Sequence, residues 1–463
     1  QNLVEDSPER VRSVVINYLK QIGNSGHCYD SVDLILKDLY EHPLIYKNEI
    51  KLDDDALLKL ENDYRNHFIH KLFIKETTEN KYLYLQVVKK SEEMIEKLIT
   101  KLTSKRNSPK KQVDIDAHIK HSLQELKDIV KTKEQKELFT SERKQLYKNI
   151  FSNSFYLLTG KPGAGKTYET SKIIEHLHNI GEDVLVLAPT GKAALRLTEN
   201  IKKYTSLADI EAKTIDKFIF EKKFGWCYED WAGTLEIDED DKLTVENLIV
   251  DESSMLDLNK LTILLSIIKF TDKYPKRVIL VGDENQLPPI GFGKPFHDVI
   301  QHIQSSDNLL EAHYINLKSN CRQENDENIL RLADAFTDKT RCYEEAFNII
   351  ASGEGKKSKG LFVYKWENKS ELNAKIETAF EDVFKMDLEK PKEPRTDFQK
   401  LNALFGLYEN GYVNNQDFKF RETLETENLQ LLSPYRTGYF GTLGLNKEVQ
   451  AKFRVKNENE KID

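Results

Sequence analysis

The run Gly160-Lys161-Pro162-Gly163-Ala164-Gly165-Lys166-Thr167 has the spacing GxxxxGK[ST]. An apolar run precedes it and a helical pattern follows, the context that separates a phosphate-binding loop from a chance glycine turn. Gly160, Gly163 and Gly165 let backbone N–H groups close around phosphate oxygens, and the helix N-terminus adds positive potential. Lys166 is expected to reach the β- and γ-phosphates of a nucleoside triphosphate, and Thr167 to ligate Mg²⁺.

Two further strand ends could complete such a site. "LIVDESSM" puts Asp251 and Glu252 where an apolar run stops. Adjacent carboxylates there can divide labour, Asp251 holding the Mg²⁺ shell and Glu252 polarising the attacking water. "RVILVGDENQLPPIGFG" puts Gln286 at a third tip, where a neutral amide can bond both the γ-phosphate and the water, or simply be solvated. "VLVLAPTGKAALRL" opens a second helix at Pro189, Thr190, Gly191 and Lys192. That N-terminus suits a nucleic-acid phosphate, or is a capped helix with a surface lysine. Arg322 follows another apolar run and could reach a γ-phosphate or form a surface ion pair. His118 and His121 stand three apart on a helical stretch, and without a third ligand nearby they read as solvent-exposed. Trp226 and Trp231 could stack on bases or pack locally.

The elements that must position these residues follow two grammars. Residues 1–135 read as a mainly helical, winged-helix-like module and linker. "ERVRSVVINYLKQIG" stops at Gly23, Asp30 or Ser31 caps a second helix, and "KLFIKETTENKYLYLQVV" forms a hairpin. The basic stretch 103–112 reads as a linker. From 136 the pattern is strand, loop, helix, repeated, with continuous apolar strands at 155–159, 184–188, 248–252 and 277–282. Such runs indicate an α/β parallel sheet covered on both faces. A second α/β set is expected from 311, with strands at 314–318, 361–366 and 429–434.

The 463 residues allow well-packed cores: 39% are hydrophobic and 10% aromatic. The formal net charge of −8 argues against a simple basic coating protein, yet a local groove of Lys and Arg can still take phosphates. Four scattered cysteines, with no CxxC pair, suit a reducing cytoplasm and not a zinc or disulfide framework. No run of about 18 apolar residues occurs, so no membrane span is expected, and the polar N-terminus reads as lacking a signal peptide.

"GKPGAGKT", "VLVLAPTGKAALRL", "TIDKF", "LIVDESSM", "VGDENQLPPIGFG", "LKSNCRQ" and "LLSPYRTGYFGTLGLNKEVQ" occur in the order seen in RecD-like DNA helicases, superfamily 1, class 1B, which the chain resembles from about 139 to 453. The resemblance implies a P-loop NTPase of RecA-like domains, a first at 136–310 and a second at 311–463. It implies a β-hairpin pin at 218–247 that splits the duplex. ATP and Mg²⁺ are the implied cofactors, held by Gly160, Gly163, Gly165, Lys166, Thr167 and Asp251, with Glu252, Gln286 and Arg322 in catalysis. Pro189, Thr190, Lys192, Thr214, Tyr435 and Arg436 fall in segments that contact single-stranded DNA in relatives. The implied activity is ATP-dependent 5′ to 3′ translocation and unwinding, with single-stranded DNA, duplex junctions and nuclease or recombination proteins as partners. The alternative is a nucleic-acid-stimulated ATPase serving as switch or scaffold of a nuclease complex. A P-loop kinase or GTPase is a third possibility, which the seven ordered motifs disfavour.

Three departures stand out. Arg143 falls where the family has an adenine-contacting Gln, with Gln145 off register, which bears on adenine selectivity. Asp216 in "TIDKF" stands where relatives often carry His. The chain ends at Asp463, before the family's last two motifs, so a C-terminally incomplete motor is expected, weak or inactive by itself.

Overall fold

The helical spacing in PERVRSVVINYLKQIG folds as α1 (Pro8–Gly23), with Val15 and Leu19 fully buried. The computed structural model describes residues 8–41, 72–107, 113–225, 237–319, 321, 327–336, 343–352, 361–387 and 430–453. After β1 (Tyr29–Ser31), the Ser31 hydroxyl accepts the Leu34 N–H at 3.3 Å and starts α2 (Val32–Glu41). The expected hairpin is present as β2 (Leu72–Glu76) and β3 (Lys81–Leu85), closed by Thr77 N–H on the Asn80 carbonyl at 2.9 Å. β1 adds to its other edge, giving an antiparallel sheet in the order β1-β3-β2. Strand alternation turns Leu72, Leu83 and Leu85 inward. α3 (Gln86–Ser104) follows, burying Val88, Ile95, Ile99 and Leu102.

α4 (Ile115–Glu125) and α5 (Lys133–Ile150) lead into the α/β region, α5 starting at a capping box of Thr132 and Gln135. There β4 (Phe155–Gly160), α6 (Lys166–Asn179), β5 (Val184–Ala188), α7 (Gly191–Tyr204), β6 (Lys213–Thr214), α8 (Ile215–Glu221), β7 (Asn247–Val250), α9 (Leu258–Ser266), β8 (Arg277–Gly282), α10 (Pro295–Gln304), α11 (Asp307–His313) and β9 (Tyr314–Leu317) succeed one another. All six strands run parallel in the order β6-β5-β7-β8-β4-β9. Phe155, Leu157, Leu187, Leu248, Val250, Val278 and Leu280 face one layer, and Tyr156, Leu158, Val186, Ile249, Ile279, Val281 and Ile315 the other. This is the α/β P-loop NTPase architecture expected from the apolar runs.

Two boundaries differ from expectation. The described residues of 1–135 pack in two places. α1 to α3 share a hydrophobic core with one face of the large sheet, whereas Val113 and Ile115 pack on the opposite face. The described start of the expected linker is anchored too: Lys105 Nζ donates to the Pro275 carbonyl at 3.2 Å and Arg106 bridges Asn153. Secondly, 314–317 belongs to the first sheet, because β9 pairs along β4. The chain divides at Gln323/Glu324 rather than at 310/311.

Of the expected pin, 218–221 completes α8, Phe224 is buried, and Leu243 makes a single bridge to Ile268 before β7. Residues 226–236, with Trp226 and Trp231, lie outside the described residues.

In the unit from Glu324, the described helices are α12 (Glu327–Asp334), α13 (Tyr343–Ser352), α14 (Lys369–Asp387) and α15 (Thr442–Phe453). Among the described residues the strands expected at 361–366 and 429–434 do not form ladders. Trp366 packs instead against Tyr439 and Phe440, at ring distances of 6.0 and 6.1 Å. No helix among the described residues is long and apolar enough to cross a membrane.

Candidate nucleotide site

Parallel strands deliver their C-terminal ends to one edge of the sheet, and the loops there form the customary ligand crevice. At β4 the chain turns through Gly163 (φ 90°) and Gly165 (φ 88°), both left-handed, into α6. A Cβ on Gly165 would stand 3.1 Å from Arg143 Nη2 and 3.3 Å from Cys321 Sγ, so glycine is required twice over. Lys166 opens α6 and folds back over the loop, its Nζ donating to the carbonyls of Gly160 and Lys161. Thr167 follows in the first turn, where helix N–H groups point outward.

At the β7 tip, Asp251 is buried and its Oδ1 accepts the Glu252 N–H at 3.0 Å. Glu252 is held left-handed at φ 50°, a conformation that costs a non-glycine residue of order 1–3 kcal/mol. Its Oε2 is buried without a hydrogen-bond partner. Burial first, then the neighbouring Glu252 charge, pushes the Asp251 carboxyl up to about 6, against the pull of Lys166 and Arg196. The orphaned buried Glu252 oxygen beside the Asp251 carboxyl, raised by burial, is a donor set that a hard cation would satisfy, so Asp251 could hold Mg²⁺. The β8 tip joins this one: Ser254 Oγ donates to Gln286 Oε1 at 3.0 Å, and Gln286 N–H bonds the Asp283 carbonyl at 3.2 Å.

β5 and β6 end in paired helix caps. Thr190 Oγ1 accepts the Ala193 N–H at 3.2 Å, and Thr214 Oγ1 accepts the Lys217 N–H at 3.1 Å. Ala188 and Thr214 are register partners, so these two helix N-termini lie side by side, with Pro189 and exposed Lys192 between the strand end and α7. Asp216 is engaged by Lys260 at 3.1 Å. Tyr435 and Arg436, both exposed, belong to the other unit, and Arg322 lies outside the described residues.

Three participants were not legible beforehand as site residues. Ser254 and Arg196 carry no motif of their own. Arg143 is entirely buried beneath the loop, so it is not placed to read a base. His118 corrects the expectation of exposure: it is buried, 3.2 Å from His176 and 3.7 Å from Glu169, while His121 alone is exposed. Apolar α4 residues flanking it turn that helix face inward. Burial lowers His176 to about 4, with further lowering from His118 and Lys172, so His176 stays largely neutral near pH 7.

An AAA domain family model matches residues 143–292. An uncharacterized protein of Methanocaldococcus jannaschii is 29% identical over 364 residues, covering 74% of this chain and 29% of its own length. The RecBCD enzyme subunit RecD of Mycobacterium tuberculosis is 27% identical, covering 37% of this chain and 30% of its own. The ATP-dependent RecD2 DNA helicase of Deinococcus radiodurans is 29% identical, covering 34% and 19%. The chain thus spans less than a third of each of these relatives. With the loop, the carboxylate tip and the parallel sheet in place, the chain has an α/β P-loop NTPase fold and resembles RecD-type helicases in sequence.

Proposed function

We propose that this protein is an ATP-dependent DNA helicase that translocates 5′ to 3′ on single-stranded DNA, working in the cytoplasm. The observation that carries the reading is the juncture of three strand tips: the glycine loop with Lys166, the Asp251–Glu252 pair, and Gln286 joined to it through Ser254. Lys166 releases its loop carbonyls to the β- and γ-phosphates. Glu252, pre-set by its left-handed backbone, orients the attacking water and takes its proton. Gln286 bonds the γ-phosphate and, through Ser254, reports its presence to the β7 tip. Thr167 and Asp251 would hold Mg²⁺, which would supply neutralisation of the negative charge developing on the phosphates. Arg322 is assigned the second γ-phosphate contact. Pro189, Thr190, Lys192 and Thr214 offer two adjacent helix N-termini to successive DNA phosphates, and Tyr435 and Arg436 offer a ring and a charge.

ATP hydrolysis should rise with single-stranded DNA, and a duplex bearing a 5′ tail should be separated faster than one bearing a 3′ tail. Equal rates on the two substrates would refute the polarity. DNA-stimulated hydrolysis without strand separation would favour a second reading, a switch subunit of a larger assembly. That reading has one observation behind it, that relatives are RecBCD enzyme subunits.

Proton competition at Asp251 gives a further prediction. A cation needs the ionised carboxylate, so Mg²⁺-dependent nucleotide binding should weaken below about pH 6. The loss approaches roughly tenfold per pH unit for one proton. Calorimetric titration between pH 7.5 and 5 would measure it, and a flat profile would remove Asp251 from the metal shell. In the protein alone the sign is opposite: the raised carboxyl is a local cost above about pH 6, relieved on acidification.

A further inference from the structure

The back of the phosphate loop is densely bonded. Arg143 is wholly buried, and its guanidinium spreads over four segments. Nε donates to Glu169 Oε1 at 2.9 Å on α6, and Nη1 to Glu142 Oε2 at 2.6 Å on α5. Nη1 also donates to Ser319 Oγ at 2.5 Å, and Nη2 to the Ala164 carbonyl at 3.0 Å in the loop. Beneath it the Phe139 ring lies 4.0 Å away. Glu142 in turn accepts the Lys318 N–H at 2.7 Å and the Ser319 N–H at 3.3 Å. The Cys321 N–H donates to the Gly163 carbonyl at 2.8 Å. The residues so gripped, Lys318, Ser319 and Cys321, follow β9 and precede the second unit at Glu324.

Peptide planarity gives this arrangement a consequence. The Gly163 carbonyl and the Ala164 N–H belong to one rigid plane, as do the Ala164 carbonyl and the Gly165 N–H. An N–H that turns toward a phosphate must turn its carbonyl with it. Those two carbonyls are the ones held by Cys321 and Arg143.

We propose that Arg143 and Glu142 form a buried latch between the phosphate loop and the exit segment Lys318–Cys321, so that nucleotide occupancy is transmitted to the chain entering the second unit. Arg143 is a positioning residue here, acting on the nucleotide through Ala164. The inference rests on the reading of the loop as a nucleotide site. A purely structural role would need only the ion pairs to Glu142 and Glu169. The Arg143 bonds to Ser319 and the Ala164 carbonyl, and the Cys321 N–H on the Gly163 carbonyl, add a connection that those ion pairs do not require.

Hydrogen exchange on the full chain, with and without ADP or a non-hydrolysable ATP analogue, tests this. In the wild type, nucleotide should protect the loop amides and change exchange of the Lys318, Ser319 and Cys321 amides by roughly 5–150-fold, the range of ordinary site-to-site coupling. Arg143→Lys keeps the charge but cannot span four acceptors. Ser319→Ala removes the exit-segment hydroxyl and leaves both ion pairs intact, so it keeps the test alive should the lysine variant fail to fold. In either variant, loop protection should persist while the response at 318–321 shrinks, and kcat for ATP should fall more than KM rises. An undiminished response at 318–321 in folded variants overturns the latch alone. Absence of any nucleotide effect in the wild type overturns the nucleotide reading and the latch with it.

Discussion

Replacing Glu252 with Gln is expected to cut ATP turnover by roughly 10²–10⁴-fold, the usual share of a positioned general base, while nucleotide affinity changes little. The amide preserves the volume at a residue whose left-handed backbone is part of the β7 tip, so the loop geometry survives. What it removes is the basic oxygen, and the structure leaves Glu252 Oε2 buried with no hydrogen-bond partner. A second readout separates this from local damage. Glu252 is the second cause, after burial, of the raised Asp251 carboxyl. Neutralising it should therefore lower the pH at which Mg²⁺-dependent nucleotide binding is lost, strengthening binding at mildly acid pH even as turnover collapses. Single-turnover hydrolysis and nucleotide binding, each followed against pH, would show both. Turnover within about tenfold of wild type would exclude Glu252 as the base.

The parts of this site that were legible in the sequence are those whose chemistry is local. GKPGAGKT needs only its own glycines, the helix after it and the strand before it, and all three are present. Asp251 and Glu252 sit at a strand end because LIVDE is apolar up to its carboxylates. The Thr77–Asn80 turn and the Ser31 cap were likewise readable, since their hydrogen bonds span three residues. What escaped depends on partners distant in the chain. "YINLK" reads as a strand, but only the ladder with β4, some 157 residues earlier in register, says which sheet it joins. His118 reads as a surface residue until α6 brings His176 and Glu169 against it. "LFVYKW" has strand composition, yet its Trp366 packs on Tyr439 and Phe440, and among the described residues no ladder forms. Arg143 shows the limit most clearly. A resemblance places it beside a base, whereas its surroundings, two carboxylates, a loop carbonyl and a hydroxyl, use the guanidinium fully.

Replacing Lys166 with Ala should reduce turnover by roughly 10²–10³-fold, the cost of losing one preorganised donor at developing charge, and should weaken nucleotide binding as well. The two effects arise from different places. Lys166 carries a compact charge on a flexible stem, and in the structure that charge is parked on the Gly160 and Lys161 carbonyls. Exchanging those for phosphate oxygens accounts for the affinity. Its influence extends to the β7 tip, where it pulls the Asp251 carboxyl down against burial and Glu252. Removing it should leave Asp251 harder to ionise, so Mg²⁺ dependence in the variant should shift to higher pH, opposite in sign to the Glu252→Gln shift. Lys166→Arg tests whether charge alone suffices. It should retain the Asp251 effect but not full turnover, because a planar fork cannot replace a point charge inside a loop this tight. Near-normal hydrolysis by Lys166→Ala would mean that the glycine loop does not bind the reacting phosphate. Equal pH profiles for the alanine variant and the wild type would mean that Lys166 and Asp251 do not share one site.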